Sequence, residues 1–128
     1  MDKTPQILLV DDEADYVDTI SDWLRSKGYD ILVAYDGKMA LTIIKSQAVD
    51  LVFLDLRMPK EDGIHTLEQI RKVNKELPVI LVTAYAEDPI IVKANELGIS
   101  GIFPKEGGLD KLTQTLEVVI RTVKPKNP

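Results

Sequence analysis

The sequence has no cysteine and a single histidine, and none of its apolar runs approaches the roughly 18–20 residues of a membrane span. Without cysteine there is neither a disulfide framework nor a thiolate metal site, a composition that suits a reducing compartment. Positive charge is also short. Sixteen Lys and Arg stand against 21 Asp and Glu, a formal net charge of −5, which excludes a general grip on a nucleic-acid backbone. No signal-peptide pattern opens the chain, and no internal repeat or low-complexity tract interrupts it, so a cytoplasmic location without membrane contact is expected. What remains is a globular balance of 45% hydrophobic and 29% charged residues over 128 positions, a length that suits one domain and is too short for two cores.

Short, wholly apolar runs alternate with longer amphipathic stretches. The runs are Ile7–Val10, Ile31–Ala34, Leu51–Leu54, Val79–Val82 and a weaker one from Ile99 to Phe103. Apolar on both faces and rich in β-branched residues, they predict strands buried beneath helices. Val17, Ile20 and Leu24 space a first helix that Gly28 stops, and Asp36-Gly37 opens a second carrying Leu41 and Ile44. A third is expected from about Ile64, with Leu67 and Ile70 on its inner face. Asp88-Pro89 is an N-cap and first-turn pair for a fourth, closed by Gly98. Leu109, Leu112, Leu116, Val119 or Ile120, and Val123 stripe the last. Five strand-then-helix units predict an α/β fold, a doubly wound parallel sheet of five strands covered on both faces. Right-handed crossovers bring all strand C-termini to one edge, where open α/β sheets bind ligands. Residues 1–123 are read as this one domain, and Lys124 to Pro128 as a polar tail or linker.

The residues just past each strand form a short set. Asp11-Asp12-Glu13 follows the first, the third runs into Asp55, the fourth ends at Thr83, and Lys105 follows the fifth. Singly, each is ordinary: an acidic turn caps a helix, a threonine forms strand, a lysine adds surface charge. Together they are harder to dismiss. Two carboxylates about 4 Å apart repel by roughly 4 kcal/mol at an effective dielectric near 20, so three must take up protons or bind a cation. Oxygen ligands without His or Cys select a hard ion such as Mg²⁺, which keeps coordination positions open for a phosphate oxygen. Lys105 and Thr83 supply a positive charge and a hydroxyl donor for the remaining oxygens, and Asp55 is the natural nucleophile, giving an acyl phosphate.

Residues 5–123 resemble the receiver domain of two-component response regulators. The resemblance rests on Leu-Val-Asp11-Asp12-Glu13, on Asp55-Leu-Arg-Met-Pro59 with Asp62-Gly63, on Val-Thr83-Ala84 and on Lys105. It implies a flavodoxin-like fold with strand order 2-1-3-4-5. It also implies that a sensor histidine kinase or a histidine phosphotransfer protein donates a phosphoryl group to Asp55, by a reaction the receiver itself catalyses, as a switch rather than a turnover enzyme. The resemblance further implies that Asp12, Asp55 and the Arg57 carbonyl ligate Mg²⁺, that Asp11 acts mainly through water, and that Thr83 and Lys105 hold the phosphoryl oxygens. The surface from helix 4 through strand 5 to helix 5 would serve a partner protein, an output domain or a phosphorylation-dependent homodimer.

Two departures stand out. Glu106 occupies the place where the family usually has proline, so a trans Lys105–Glu106 bond is expected. The family's inward-turning aromatic, three positions before the lysine, is here Ile102; Phe103 points to the opposite face and is expected in the core. Any switch would then use Ile102, or backbone movement from Thr83 to Glu87. Arg57 and Tyr85, two positions after Asp55 and Thr83, are candidates to overhang the site and shield an acyl phosphate from water. His65 is expected to be exposed, and Trp23 and Phe53 to pack. Two other function classes stay open: a metal-dependent phosphatase with an aspartyl nucleophile, which would usually place an acid where Arg57 stands, and a binding-only adaptor.

Overall fold

The computed structural model describes residues 4–58, 61–84 and 88–122. Each apolar run forms a strand: β1 (Gln6–Val10), β2 (Asp30–Ala34), β3 (Leu51–Asp55), β4 (Val79–Thr83) and β5 (Gly101–Pro104). The helices between and after them are α1 (Ala14–Ser26), α2 (Gly37–Ser46), α3 (Gly63–Val73), α4 (Ile90–Leu97) and α5 (Leu109–Thr122). The strands are all parallel in the order β2-β1-β3-β4-β5, the doubly wound, flavodoxin-like arrangement. A short antiparallel ribbon, Arg57–Met58 with Glu61–Asp62, lies between β3 and α3.

Alternation along the strands explains why the runs are apolar throughout. Ile7, Leu9, Leu51, Phe53, Ile80, Val82 and Phe103 share a core with Val17, Ile20 and Leu24 of α1 and Leu112, Leu116 and Val119 of α5. Their neighbours Leu8, Val10, Val52, Leu54, Val79 and Leu81 pack on the other face against Ala40, Leu67, Ile70, Ile91 and Ala94 of α2, α3 and α4. Two helices cover one face and three the other, so either residue of an in–out pair is buried. The register sets Val10 beside Ala34 and Leu54, and β1 and β3 therefore end level. Whatever follows those strands meets at one edge.

Local chemistry fixes the joints. The Asp36 carboxylate accepts from Met39 N at 2.7 Å to cap α2. Gly28 and Gly98, at φ of 95° and 92°, close α1 and α4 in a region that costs other residues strain. Gly63 is needed for a different reason: a Cβ there would lie 2.8 Å from the Leu56 carbonyl carbon, so only glycine lets α3 start against β3. The Trp23 indole, half-buried as packing predicted, also donates to Thr113 Oγ1 at 2.7 Å and ties α1 to α5. Phe53 is fully buried.

Three boundaries differ from the sequence reading. β5 begins at Gly101 instead of Ile99, because Ile99 packs from the preceding loop against the α3 and α4 side of the core. α4 starts at Ile90, yet Asp88 still accepts from Ile90 N through Oδ1 at 3.1 Å, so the expected capping side chain acts from two residues before the first helical residue. α3 starts at Gly63, one residue early. Pro59, Val123 and the expected tail 124–128 lie outside the described residues.

Arg71 of α3 was not singled out by sequence, and it joins α3 to α4. Its guanidinium donates to Leu97 O at 3.1 Å and Gly98 O at 2.7 Å at the end of α4, and to Asn74 O at 3.1 Å. Burial holds its pKa below the usual arginine range. Three carbonyls depend on one partly exposed cation, so Arg71→Ala is expected to cost about 1–2 kcal/mol, read as a lower urea midpoint. An unchanged midpoint would show that water replaces the contact without loss.

Candidate functional site

Four strand ends converge on one cluster. Asp11, directly after β1, extends the ladder by donating from its N to Ala34 O at 3.1 Å, which fixes its side chain at the edge and buries it. Its Oδ1 accepts from Glu13 N at 2.9 Å, turning the chain into α1. Asp55 is the last residue of β3, in register with Val82 and 4% exposed. Thr83, also buried, ends β4, and its carbonyl accepts from Lys105 N at 2.7 Å. That backbone bond anchors Lys105 just past β5.

The side chains then meet. Lys105 Nζ lies 3.0 Å from Asp11 Oδ2 and 3.2 Å from Asp55 Oδ2, and it also pairs with Glu13. The Tyr16 ring stands on another side of it, with the centroid 4.8 Å away. Asp11, Asp12 and Asp55 each offer a carboxylate oxygen within 4.8 Å of the others; the first and last are buried and Asp12 is exposed.

One ammonium thus faces Asp11, Glu13 and Asp55, with Asp12 close by. Burial pushes the Lys105 pKa down, but Glu13, Asp11 and the charge of Asp55 outweigh it and raise the pKa above the ordinary lysine range. Burial and then the charge of Asp11 push the Tyr16 phenol up to about 12, with Lys105 acting the other way, so the ring is neutral near pH 7. One positive charge does not balance the carboxylates. Asp11 Oδ2 is within ion-pair distance of the ammonium but makes no aligned hydrogen bond, a buried oxygen with acceptor capacity to spare. Oxygen donors, excess negative charge and an under-used buried carboxylate oxygen together fit a divalent cation of the Mg²⁺ type.

The structure brings Asp11, Asp12, Asp55, Thr83 and Lys105 to one edge, as the sequence pattern implied. Arg57 is placed as backbone in the short ribbon, and Tyr85 lies outside the described residues, as do the positions after Ala84 in the loop expected to move. Ile102 pairs in register with Leu81 and is 36% exposed, whereas Phe103 is 1% exposed in the α1/α5 core. His65 is exposed on α3. No peptide bond among the described residues is cis, so Lys105–Glu106 is trans, and Gly107 N donates to Pro104 O at 2.8 Å to turn the loop. Sequence reasoning passed over Tyr16 and treated Glu13 only as part of an acidic run. Their three-residue spacing across the start of α1, beside a strand-end cluster, was the available signal.

Residues 7–117 match the family of the response regulator receiver domain, and the chain belongs to that family. It is 35% identical over 111 residues to the transcriptional regulatory protein ZraR of Salmonella typhimurium, covering 87% of this chain and 25% of that protein. It is also 35% identical over 116 residues to the transcriptional regulatory protein CpxR of Klebsiella pneumoniae, covering 91% and 49%. The chain spans between a quarter and a half of the length of these relatives. The non-phosphorylated HemR receiver domain from Leptospira biflexa superimposes with a TM-score of 0.88 at 34% identity, covering 95% of this chain and 98% of that one. The response regulator TrrA of Thermotoga maritima, in complex with Mg(2+)-BeF, gives 0.81 at 30% identity, covering 91% and 99%. The class is a signalling switch of two-component systems.

Crowded carboxylates repel in the absence of a cation. With a chelator present, Asp12→Asn is expected to raise the urea midpoint by roughly 0.3 M. A lower midpoint would show that the cluster is already neutralised within the chain.

Proposed function

We propose that this receiver accepts a phosphoryl group on Asp55 in a Mg²⁺-dependent reaction, from a sensor histidine kinase or a histidine phosphotransfer protein. One observation carries the reading: Asp55, nearly buried at a strand end, has Lys105 Nζ 3.2 Å from its Oδ2 and two further aspartates close enough to share a cation with it. An Asp55 carboxylate oxygen attacks phosphorus. The P–N bond to the donor imidazole breaks, its electron pair leaves with the nitrogen, and Asp55 becomes an acyl phosphate. With acetyl phosphate the P–O bond to acetate breaks instead.

Bound Mg²⁺ supplies neutralisation of the charge on the phosphoryl oxygens. Asp12, Asp55 and the Arg57 carbonyl are assigned as its direct ligands, with Asp11 acting through water. The Thr83 hydroxyl and the Lys105 ammonium receive the transferred oxygens, and the chain catalyses both the phosphotransfer to Asp55 and its later dephosphorylation, as a switch rather than a turnover enzyme. Arg57 and Tyr85 are assigned the role of limiting attack by water on the acyl phosphate.

The phosphoryl group favours the arrangement in which Thr83 and Lys105 reach it, and the bias cannot exceed the difference in interaction energy, about 1–3 kcal/mol. The signal passes through a small rotation of Ile102 or through backbone movement from Thr83 to Glu87, since Phe103 is committed to the core. The α4–β5–α5 surface is assigned to a partner protein, an output domain or a second phosphorylated copy, and Val92, Ile102 and Val118 are exposed apolar residues of those three elements. Residues 1–123 form the receiver unit and 124–128 a tail or linker. The receiver works in the cytoplasm and makes no direct contact with nucleic acid. No helix among the described residues is long and apolar enough to cross a membrane.

Incubation with Mg²⁺ and acetyl phosphate, followed by intact mass, is expected to add one phosphoryl group. Asp55→Asn and a chelator should each abolish the adduct, and Lys105→Ala should slow its formation at least about tenfold. An adduct that persists in Asp55→Asn would move the acceptor elsewhere.

A further inference from the structure

The carboxylates around Lys105 are not equivalent. Asp11 and Asp55 are buried and belong to the set that can hold a cation. Glu13 stands outside that set, with its side chain 62% exposed, and reaches the ammonium from the turn before α1. Tyr16, three residues on, lays its half-buried ring against the same nitrogen. A lysine ammonium has three N–H donors; here it donates to Glu13 and Asp55 and is also ion-paired with Asp11. A phosphoryl group on Asp55 would need at least one of those donors.

We propose that Glu13 is a built-in competitor for the phosphoryl oxygens, occupying Lys105 until a phosphoryl group displaces it, while the Tyr16 ring keeps the ammonium in place during the exchange. The proposal rests on the phosphoacceptor reading of Asp55. Exposure decides which partner gives way. Water can take over the hydrogen bonds of Glu13 when it swings out, whereas Asp11 and Asp55 could be hydrated only by opening the site. The ring makes a different demand. Its attraction for the ammonium does not depend on which anion stands opposite, so exchanging Glu13 for a phosphoryl oxygen leaves that contact intact. Glu13 therefore raises the threshold for occupying the site, and Tyr16 is a positioning residue acting through Lys105.

The test titrates beryllofluoride with Mg²⁺, as a phosphoryl mimic, into the full chain and its variants by NMR. Glu13→Gln is expected to bind about two- to fivefold tighter, the range of an exposed ion pair. Tyr16→Leu should bind about two- to fivefold more weakly, and Tyr16→Phe, which keeps the ring face, should match the unsubstituted chain within about 1.5-fold. Asp15→Asn removes a charge from the same first turn, from a residue that is not a partner of Lys105, and should change affinity by less than about 1.5-fold. Affinity unchanged or weakened in Glu13→Gln, or raised as much by Asp15→Asn, overturns the competition. Tyr16→Phe as weak as Tyr16→Leu overturns the role of the ring. A ring-current shift of the Lys105 ε-methylene protons, present without ligand and lost in Tyr16→Leu, checks that contact without any mimic, and its absence overturns it. An unsubstituted chain that takes no beryllofluoride contradicts the phosphoacceptor reading itself and the competition with it.

Discussion

Lys105 and the carboxylates of Asp11, Asp12, Glu13 and Asp55 form an imbalance of charge held at the end of a sheet, and the rest of the structure serves to hold it there. Left in water, these groups would separate and hydrate. They stay together because β1, β3, β4 and β5 run in one direction and end at one edge, each locked by register to the next. Two apolar cores, one on each face, supply the cohesion that offsets the repulsion. Stability and ligand binding therefore pull in opposite directions at this edge, as is common at binding sites.

The fold was largely legible because a parallel sheet covered on both faces leaves little choice in its strands. Leu51–Leu54 can be apolar at every position only if both sides are buried, and Phe53 and Leu54 do enter opposite cores. The same logic placed the five candidate residues, since each ends or follows a strand whose end the topology fixes. β5 was misplaced by two residues because its apolar run continues into Ile99, which packs on helices and not in the ladder. Hydrophobicity records burial and is silent about which neighbour does the burying. Side-chain contacts were the least legible. Arg71 reaching the end of α4, Trp23 bonding Thr113 and Tyr16 facing Lys105 all depend on helix placement to within a turn, which periodicity does not supply.

The two faces of β5 divide the labour. Phe103 is sealed in the core with α1 and α5, so the strand is anchored from that side, while Ile102 on the other side remains partly exposed. Arg71 fixes the far end of α4, and Asp88 caps its near end. Under the proposed switch, the short helix α4, held at both ends by polar contacts, and the partly exposed Ile102 would be the parts that respond to a change at Thr83. Such a switch would require a modest difference in interaction energy to select between two positions without disturbing either core.

Calorimetric titration of Mg²⁺ into the ligand-free protein tests the central claim most directly, that the strand-end carboxylates are arranged to share a divalent cation. The account predicts saturable uptake of one ion per chain, lost in Asp11→Asn and in Asp55→Asn. Absence of uptake, or uptake that survives both substitutions, would contradict it.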